Sequence, residues 1–263
     1  MRERIAEKMI KWFAKIQWFL ATATVLSLAA GLWLVFSAPD DFQQGNAVRI
    51  LYVHVPAAKM SLLSYLLLSL ASALYLWRRQ EKWDILAEAS VSVGAAFTAL
   101  TLLSGSIWGK PMWGAWWAWD ARLTSMLVLL ILFMGLMALR NALDDPHKAA
   151  RATAVLALIG AVDLPIIHFS VVWWRTLHQP PSFAGPAKQS ITGDLLPPLL
   201  VMSVAFVVLG GWLLVLKSRE IAARRQWEAV ETERLEQNHA IQCPHCSVTL
   251  TLHKAKQLLL CHY

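Results

Sequence analysis

Six stretches of this chain are each about twenty residues long, strongly apolar and poor in charge: roughly 17–37, 57–77, 88–107, 122–140, 153–173 and 195–217. A helix rises about 1.5 Å per residue, so each is long enough to cross a hydrocarbon core of about 30 Å. All are too long and too evenly apolar for strands. In lipid, peptide groups must be satisfied inside their own segment, which leaves helices. The expected fold is an all-α integral membrane protein, a six-transmembrane-helix bundle. Composition agrees, with 57% hydrophobic and 16% charged residues, against about 25% charged in soluble domains. The first stretch follows a basic segment and resembles a signal peptide, but its length and the later spans predict a retained signal anchor.

Charge orients the bundle. Eighteen of the 24 lysines and arginines fall in the N-terminal segment, the 78–87 and 140–152 connections and the C-terminal part from Lys217 onward. The remaining six are Arg49, Lys59, Lys110, Arg122, Arg175 and Lys188. The positive-inside rule then predicts cytoplasmic N and C termini. The net charge of +7 reads as an orientation signal and not as a nucleic-acid surface. Segments 38–56, 108–121 and 174–194 would face outward.

The second outer segment and its neighbour hold half of the fourteen tryptophans: Trp108, Trp113, Trp116, Trp117 and Trp119, then Trp173 and Trp174. An aromatic belt places tryptophan at membrane interfaces, usually one or two per helix end. The density here suggests instead a flat platform for a large planar ligand. Gly109, Pro111 and Gly114 argue against a continuous helix from Trp108. From Trp113 onward, helical spacing would put Trp113, Trp116, Trp117 and Asp120 on one face of a short interfacial helix. Asp120 also suits the N-cap of the fourth span.

Two histidines flank this cluster. His54 lies in Tyr52-Val-His-Val-Pro56, just before the second span, and His178 in Trp173-Trp174-Arg-Thr-Leu-His178. Either fits an interfacial hydrogen-bonding role. Together they could take both faces of a haem iron, with tryptophans against the porphyrin. Arg122, Arg175 or Lys110 could pair with the propionates. His168 competes, inside the fifth span after Asp163 and Pro165. Pro165 should kink that span. Asp163 is an intramembrane acid, either a polar contact within the bundle or part of a solute path. Glu88 reads as a snorkelling or interfacial acid.

The chain divides by composition into a membrane domain, 1–218, and a cytoplasmic tail, 219–263. The tail begins charged and helix-prone. It then carries Cys243-Pro-His-Cys246 and Cys261, the chain's three cysteines, half of a zinc ribbon. His253 or His262 could be a fourth ligand. The alternative is a reduced, loosely structured tail without zinc.

The run Trp108-Gly-Lys-Pro-Met-Trp-Gly-Ala-Trp-Trp-Ala-Trp-Asp120 resembles the tryptophan-rich WWD signature of haem-handling proteins. With Tyr52-Val-His54-Val-Pro56, Leu164-Pro-Ile-Ile-His168 and Thr176-Leu-His178-Gln, it is similar to the CcmC (haem exporter protein C) family of cytochrome c maturation. The resemblance covers about residues 1–218. It implies a component of the bacterial inner membrane that is not an enzyme. Such a protein binds haem b non-covalently at the periplasmic face, through one histidine each from the first and third outer segments, by position His54 and His178. Trp108, Trp113, Trp116, Trp117, Trp119, Asp120 and Arg122 complete the expected site. The implied partners are the haem chaperone CcmE, CcmD, the CcmAB ABC transporter and the lipid bilayer. A transporter moving haem or another solute through the bundle is the alternative reading, and a haem lyase is disfavoured because the outer segments hold no cysteine.

Overall fold

The computed structural model describes residues 2–174, 176–178, 193–238, 241–242 and 249–250. Helix α1 is Arg2–Ser37. A 3-10 turn, Asn46–Ile50, leads directly into α2, Leu51–Arg78. Then come α3 (Glu81–Trp113), α4 (Ala121–Asn141), α5 (Pro146–Gly160), α6 (Asp163–Trp173) and α7 (Leu196–Asn238). Two two-residue strands, Ile241–Gln242 and Thr249–Leu250, pair antiparallel. Six segments are long and apolar enough to cross a membrane: Ile16–Ser37, Asn46–Arg78, Glu81–Trp113, Ala121–Asn141, Pro146–Trp173 and Gly193–Leu235. The chain is thus a multi-pass helical membrane protein. Its compact units are Met1–Ser218 and Arg219–Tyr263.

Helix ends follow local chemistry. The Asp120 Oδ1 accepts the Leu123 N–H at 2.8 Å and caps α4, as an N-cap carboxylate should. Asp145 caps α5 just ahead of Pro146, where a missing N–H removes no helical bond. Accepting the Lys148 N–H, and with it the His147 N–H, holds the Asp145 carboxyl below its ordinary range. Gly114 closes α3 with φ 76°, its N–H donating to the Lys110 carbonyl at 3.1 Å. Glycine adopts that left-handed conformation without a Cβ penalty.

Three expectations about boundaries are corrected. Helix α3 runs through Gly109 and Pro111 to Trp113, and residues 114–120 are not helical. The expected short interfacial helix does not form. Pro111 sits near the end of α3, so only a late bond is lost. A Cβ on Gly109 would lie 3.1 Å from the Ala115 carbonyl oxygen and from the Trp113 ring, so glycine lets the segment fold back over the helix end. Second, His54 lies within the first turns of α2 and not in a loop. Third, the fifth span is broken between Gly160 and Asp163, upstream of Pro165. Proline is the third residue of α6, where its missing N–H has no intrahelical partner, whereas an unbroken helix would press its ring on the Ala161 carbonyl.

Two apolar clusters hold the first unit. One joins Tyr65 and Leu68 of α2, Val91 of α3, Leu129 and Phe133 of α4, Ala157 of α5 and Ile167 of α6. The other joins Val35 of α1, Tyr52 and Met60 of α2, Phe97 of α3 and Leu199, Met202 and Phe206 of α7. Outward-facing Trp18, Phe19, Trp33 and Phe36 of α1 stay exposed, as lipid-facing side chains do.

A buried ion cluster ties α3, α4 and α5 at the end of the bundle opposite the 108–119 tryptophan run. Arg140 of α4 bonds Asp84 of α3, reaches Glu88 at 3.0 Å and approaches Thr153 of α5 at 3.4 Å. Glu88 is therefore an ion-pair partner inside the bundle and does not snorkel as expected.

Candidate functional site

The N-terminal ends of α2 and α4 and the C-terminal ends of α3 and α6, with the 114–120 segment, enclose a cavity of about 350 Å³. That volume lies in the range of about 300–1,000 Å³ typical of small-molecule and cofactor sites. Of the residues singled out in the sequence, His54, His178, Trp108, Trp113, Trp117 and Arg122 line it, and His168 does as well. Trp116 and Trp119 do not, and they stay 58% and 78% exposed. Residues 114–120 follow an irregular path with bends at Gly114 and Trp116, and of the tryptophans in it Trp117 lines the cavity. Trp117 packs edge-on against Trp119, centroids 5.4 Å apart, and its buried Nε1 has no partner among the described residues. Such an orphaned donor suits a ligand with a polar atom.

Each histidine is held in the same manner, by one tryptophan and one acceptor. The His54 ring meets Trp108 edge-on at 5.5 Å. Its Nδ1 donates to the Thr101 carbonyl at 3.1 Å, with the Ser104 Oγ at 3.2 Å. A carbonyl only accepts, so Nδ1 carries the proton and Nε2 keeps its lone pair. Gly105 lies under the same ring, where a Cβ would come within 2.9 Å of His54 Cε1. Trp108 is itself fixed, its Nε1 donating to the Gln44 Oε1 at 3.1 Å.

The His178 ring tilts against Trp113 at 5.0 Å. Its Nδ1 faces the Asp120 Oδ2 at 3.5 Å, an ion-pair approach longer than a full hydrogen bond. Among the described residues that nitrogen has no hydrogen-bond partner of ordinary geometry. The same Oδ2 accepts the Leu177 N–H at 3.2 Å. Burial pushes the His178 imidazole below its ordinary 6.5, and the Arg122 charge adds to this, while the Asp120 carboxylate opposes both. The net effect favours neutral imidazole at neutral pH, the form that ligates metals.

Arg122 supplies cationic lining. Its Nε donates to the Ser170 Oγ at 3.2 Å, and its Nη2 reaches the Ile167 and His168 carbonyls at 3.4 Å. A cation in the first turn of α4 opposes that helix dipole, and these acceptors from α6 offset the conflict. Lys59 also lines the cavity. Lys110 turns away, its Nζ donating to the Gly114 carbonyl at 3.1 Å. Arg175 lies outside the described residues, as do Lys188 and the tail residues Cys243, Cys246, His253, Cys261 and His262.

Sequence reasoning missed Lys59, Met112 and the residues behind His54, namely Thr101, Ser104 and Gly105. A cation five residues after His54 on the same helix was a signal for Lys59. Nothing local marks Thr101 or Gly105, because their roles arise only when α2 and α3 pack. No hydrogen bond joins Asp163 to His168 among the described residues, and Asp163 is 8% exposed with its Oδ2 unpartnered.

The arrangement offers two imidazoles whose Nδ1 atoms face an acceptor, aromatic walls and cations in one cavity. That set fits an iron porphyrin with carboxylate side chains. Comparison with known proteins points the same way. Residues 243–263 match the model described as the PriA DNA helicase Cys-rich region domain. Heme exporter protein C of Bradyrhizobium diazoefficiens is 49% identical over 218 residues, covering 83% of either chain. The protein of that name from Escherichia coli K12 is 44% identical over 221 residues, 82% of this chain and 88% of that one. A putative cytochrome c biosynthesis ccmC-like mitochondrial protein of Marchantia polymorpha is 41% identical over 204 residues, 78% and 84% of the two chains. The family model for heme exporter protein C matches residues 4–233, running past the membrane helices into the charged part of α7. The chain belongs to the heme exporter protein C (CcmC) family, whose members handle haem for cytochrome c maturation.

Proposed function

We propose that this protein holds haem b non-covalently at the periplasmic face of the bacterial inner membrane, between His54 and His178, and delivers it to the haem chaperone CcmE. It acts as a binding and transfer protein without catalysing a reaction, alongside CcmD and the CcmAB ABC transporter. The observation that carries this reading is the placement of both histidines in one cavity, each with its Nδ1 turned to an acceptor. Trp108, Trp113 and Trp117 supply flat apolar walls, while Lys59 and Arg122 supply charge for two propionates. Trp116, Trp119 and Asp120 belong to the same segment but serve outside the cavity wall. The lysine and arginine bias supports cytoplasmic termini and hence a periplasmic site.

Mixing the haem-loaded full chain in detergent with haem-free CcmE tests delivery. The expected result is movement of the haem absorbance to the chaperone, lost when His54 or His178 is alanine. Haem flux into liposomes by this chain alone, blocked by Asp163→Leu but kept by both histidine variants, would replace this reading with transport through the bundle.

Gly105→Ala tests the ligand assignment by a second route. The added methyl would press on His54 and turn its ring. Haem affinity is expected to fall about 10–100-fold, the range for losing support behind a metal ligand, with the thermal midpoint little changed. An unaltered haem titration would separate His54 from the iron.

In the tail, the spacing of Cys243 and Cys246, the nearby Cys261 and the cysteine-rich match support a zinc site. Metal analysis of the purified chain is expected to find zinc that disappears with Cys243→Ser and Cys246→Ser. Zinc-free wild-type protein would contradict it.

A further inference from the structure

The acceptors behind the two histidines differ in charge. His54 donates to a main-chain carbonyl, that of Thr101, at 3.1 Å. Its second neighbour, the Ser104 hydroxyl, has its own acceptor in the Leu100 carbonyl at 2.6 Å. Behind His178 stands a full carboxylate, the Asp120 Oδ2, at 3.5 Å. A carboxylate behind an imidazole fixes its tautomer and strengthens it as a metal ligand. A neutral carbonyl does the first and little of the second. Asp120 is in turn well anchored, 8% exposed at the side chain, capping α4 through Leu123 and accepting from Leu177.

The elements that carry the histidines differ as well. His54 is fixed in α2 and cannot follow an iron that moves out of the cavity. His178 lies beyond the end of α6, outside regular structure, and is joined to α4 through Asp120.

We infer that the two histidines are unequal ligands: His178, positioned by Asp120, keeps the iron, and His54 is the ligand that yields to an incoming neutral nitrogen base. This rests on the proposed bis-histidine site. The exchange is balanced. The bond from iron to His54 Nε2 breaks and one to the incoming nitrogen forms. No electron is transferred, and the proton of His54 stays on Nδ1, hydrogen-bonded to the Thr101 carbonyl. Asp120 is a positioning residue here, since it touches the ligand and not the iron.

The test uses the full-length chain in detergent, loaded with haem and reduced. His54→Gly leaves His178 as the one protein ligand, and His178→Gly leaves His54. Resonance Raman then reads the iron–histidine stretch of each. The stretch is expected at higher frequency in His54→Gly, and Asp120→Asn in that background should lower it towards the value in His178→Gly. Haem loss from the His54→Gly protein to excess apomyoglobin should quicken about 10–100-fold with the same Asp120→Asn change. Asparagine keeps an oxygen for the α4 cap, and the comparison of the two glycine variants stands even if the asparagine protein does not accumulate. Equal frequencies in the two glycine variants, or no response of His178 to Asp120→Asn, would overturn the inference. A wild-type haem spectrum in both glycine variants would instead overturn the bis-histidine site beneath it.

Discussion

Replacing His178 with alanine is expected to strip haem from the purified protein and to abolish cytochrome c maturation in cells that depend on it. His54→Ala should do the same. Removing an outer-shell partner of a metal ligand costs about 10–100-fold in affinity, and removing the ligand itself should exceed that. The apolar cavity keeps some attraction for the macrocycle through Trp108, Trp113 and Trp117, so residual haem should be weakly held and spectrally altered. The two substitutions should not add, because both act on one iron. His54 also ties α2 to α3 through the Thr101 carbonyl, so the membrane-fraction level of each variant is compared with wild type to separate loss of haem from loss of fold. Haem per protein, read by the pyridine haemochrome, and the amount of c-type cytochrome provide the two readouts.

The second large effect is on stability. Arg140→Ala would leave the carboxylates of Asp84 and Glu88, one helical turn apart, facing each other without their shared cation. Their side chains are only 7% and 14% exposed, so solvent screens little of the repulsion. Breaking a buried ion pair by removing one partner costs about 3–5 kcal/mol, a large share of the roughly 5–15 kcal/mol that holds an ordinary protein folded. A clear drop in the detergent thermal midpoint and in membrane-fraction yield is expected. Adding Asp84→Asn and Glu88→Gln to Arg140→Ala should restore part of it. The cluster lies at the opposite end of the bundle from the cavity, so the folded fraction should keep its haem spectrum. A midpoint equal to wild type would show that the cluster contributes no net stability.

Spans and histidines were legible because both signals are local. Twenty apolar residues announce a helix in lipid whatever the tertiary context, and all six appeared. His54 and His178 stood out as polar residues among aromatics, and the cavity brings both together. The failures came where packing overrides local preference. Gly109 and Pro111 read as helix breakers, yet α3 continues to Trp113, where Gly109 gives room for the chain to fold back over the helix end. Pro165 read as a mid-helix kink, but the chain ends α5 before it and uses the proline in the first turn of α6. The division of the tryptophan run into cavity wall (Trp117) and exposed rim (Trp116, Trp119) depends on the non-helical path of 114–120, which helical spacing could not supply. Thr101 and Gly105, some fifty residues from His54 in the chain, become its support only through the packing of α2 on α3. Glu88 looked solitary for the same reason, since Arg140 reaches it from another helix.

The most direct test is the optical spectrum of the full-length protein, purified in detergent and loaded with haem, beside His54→Ala and His178→Ala. The wild type should give a six-coordinate, low-spin spectrum with two imidazole ligands, and each single variant should lose it. An identical bis-imidazole spectrum in both variants would contradict the assignment of His54 and His178 as the iron ligands.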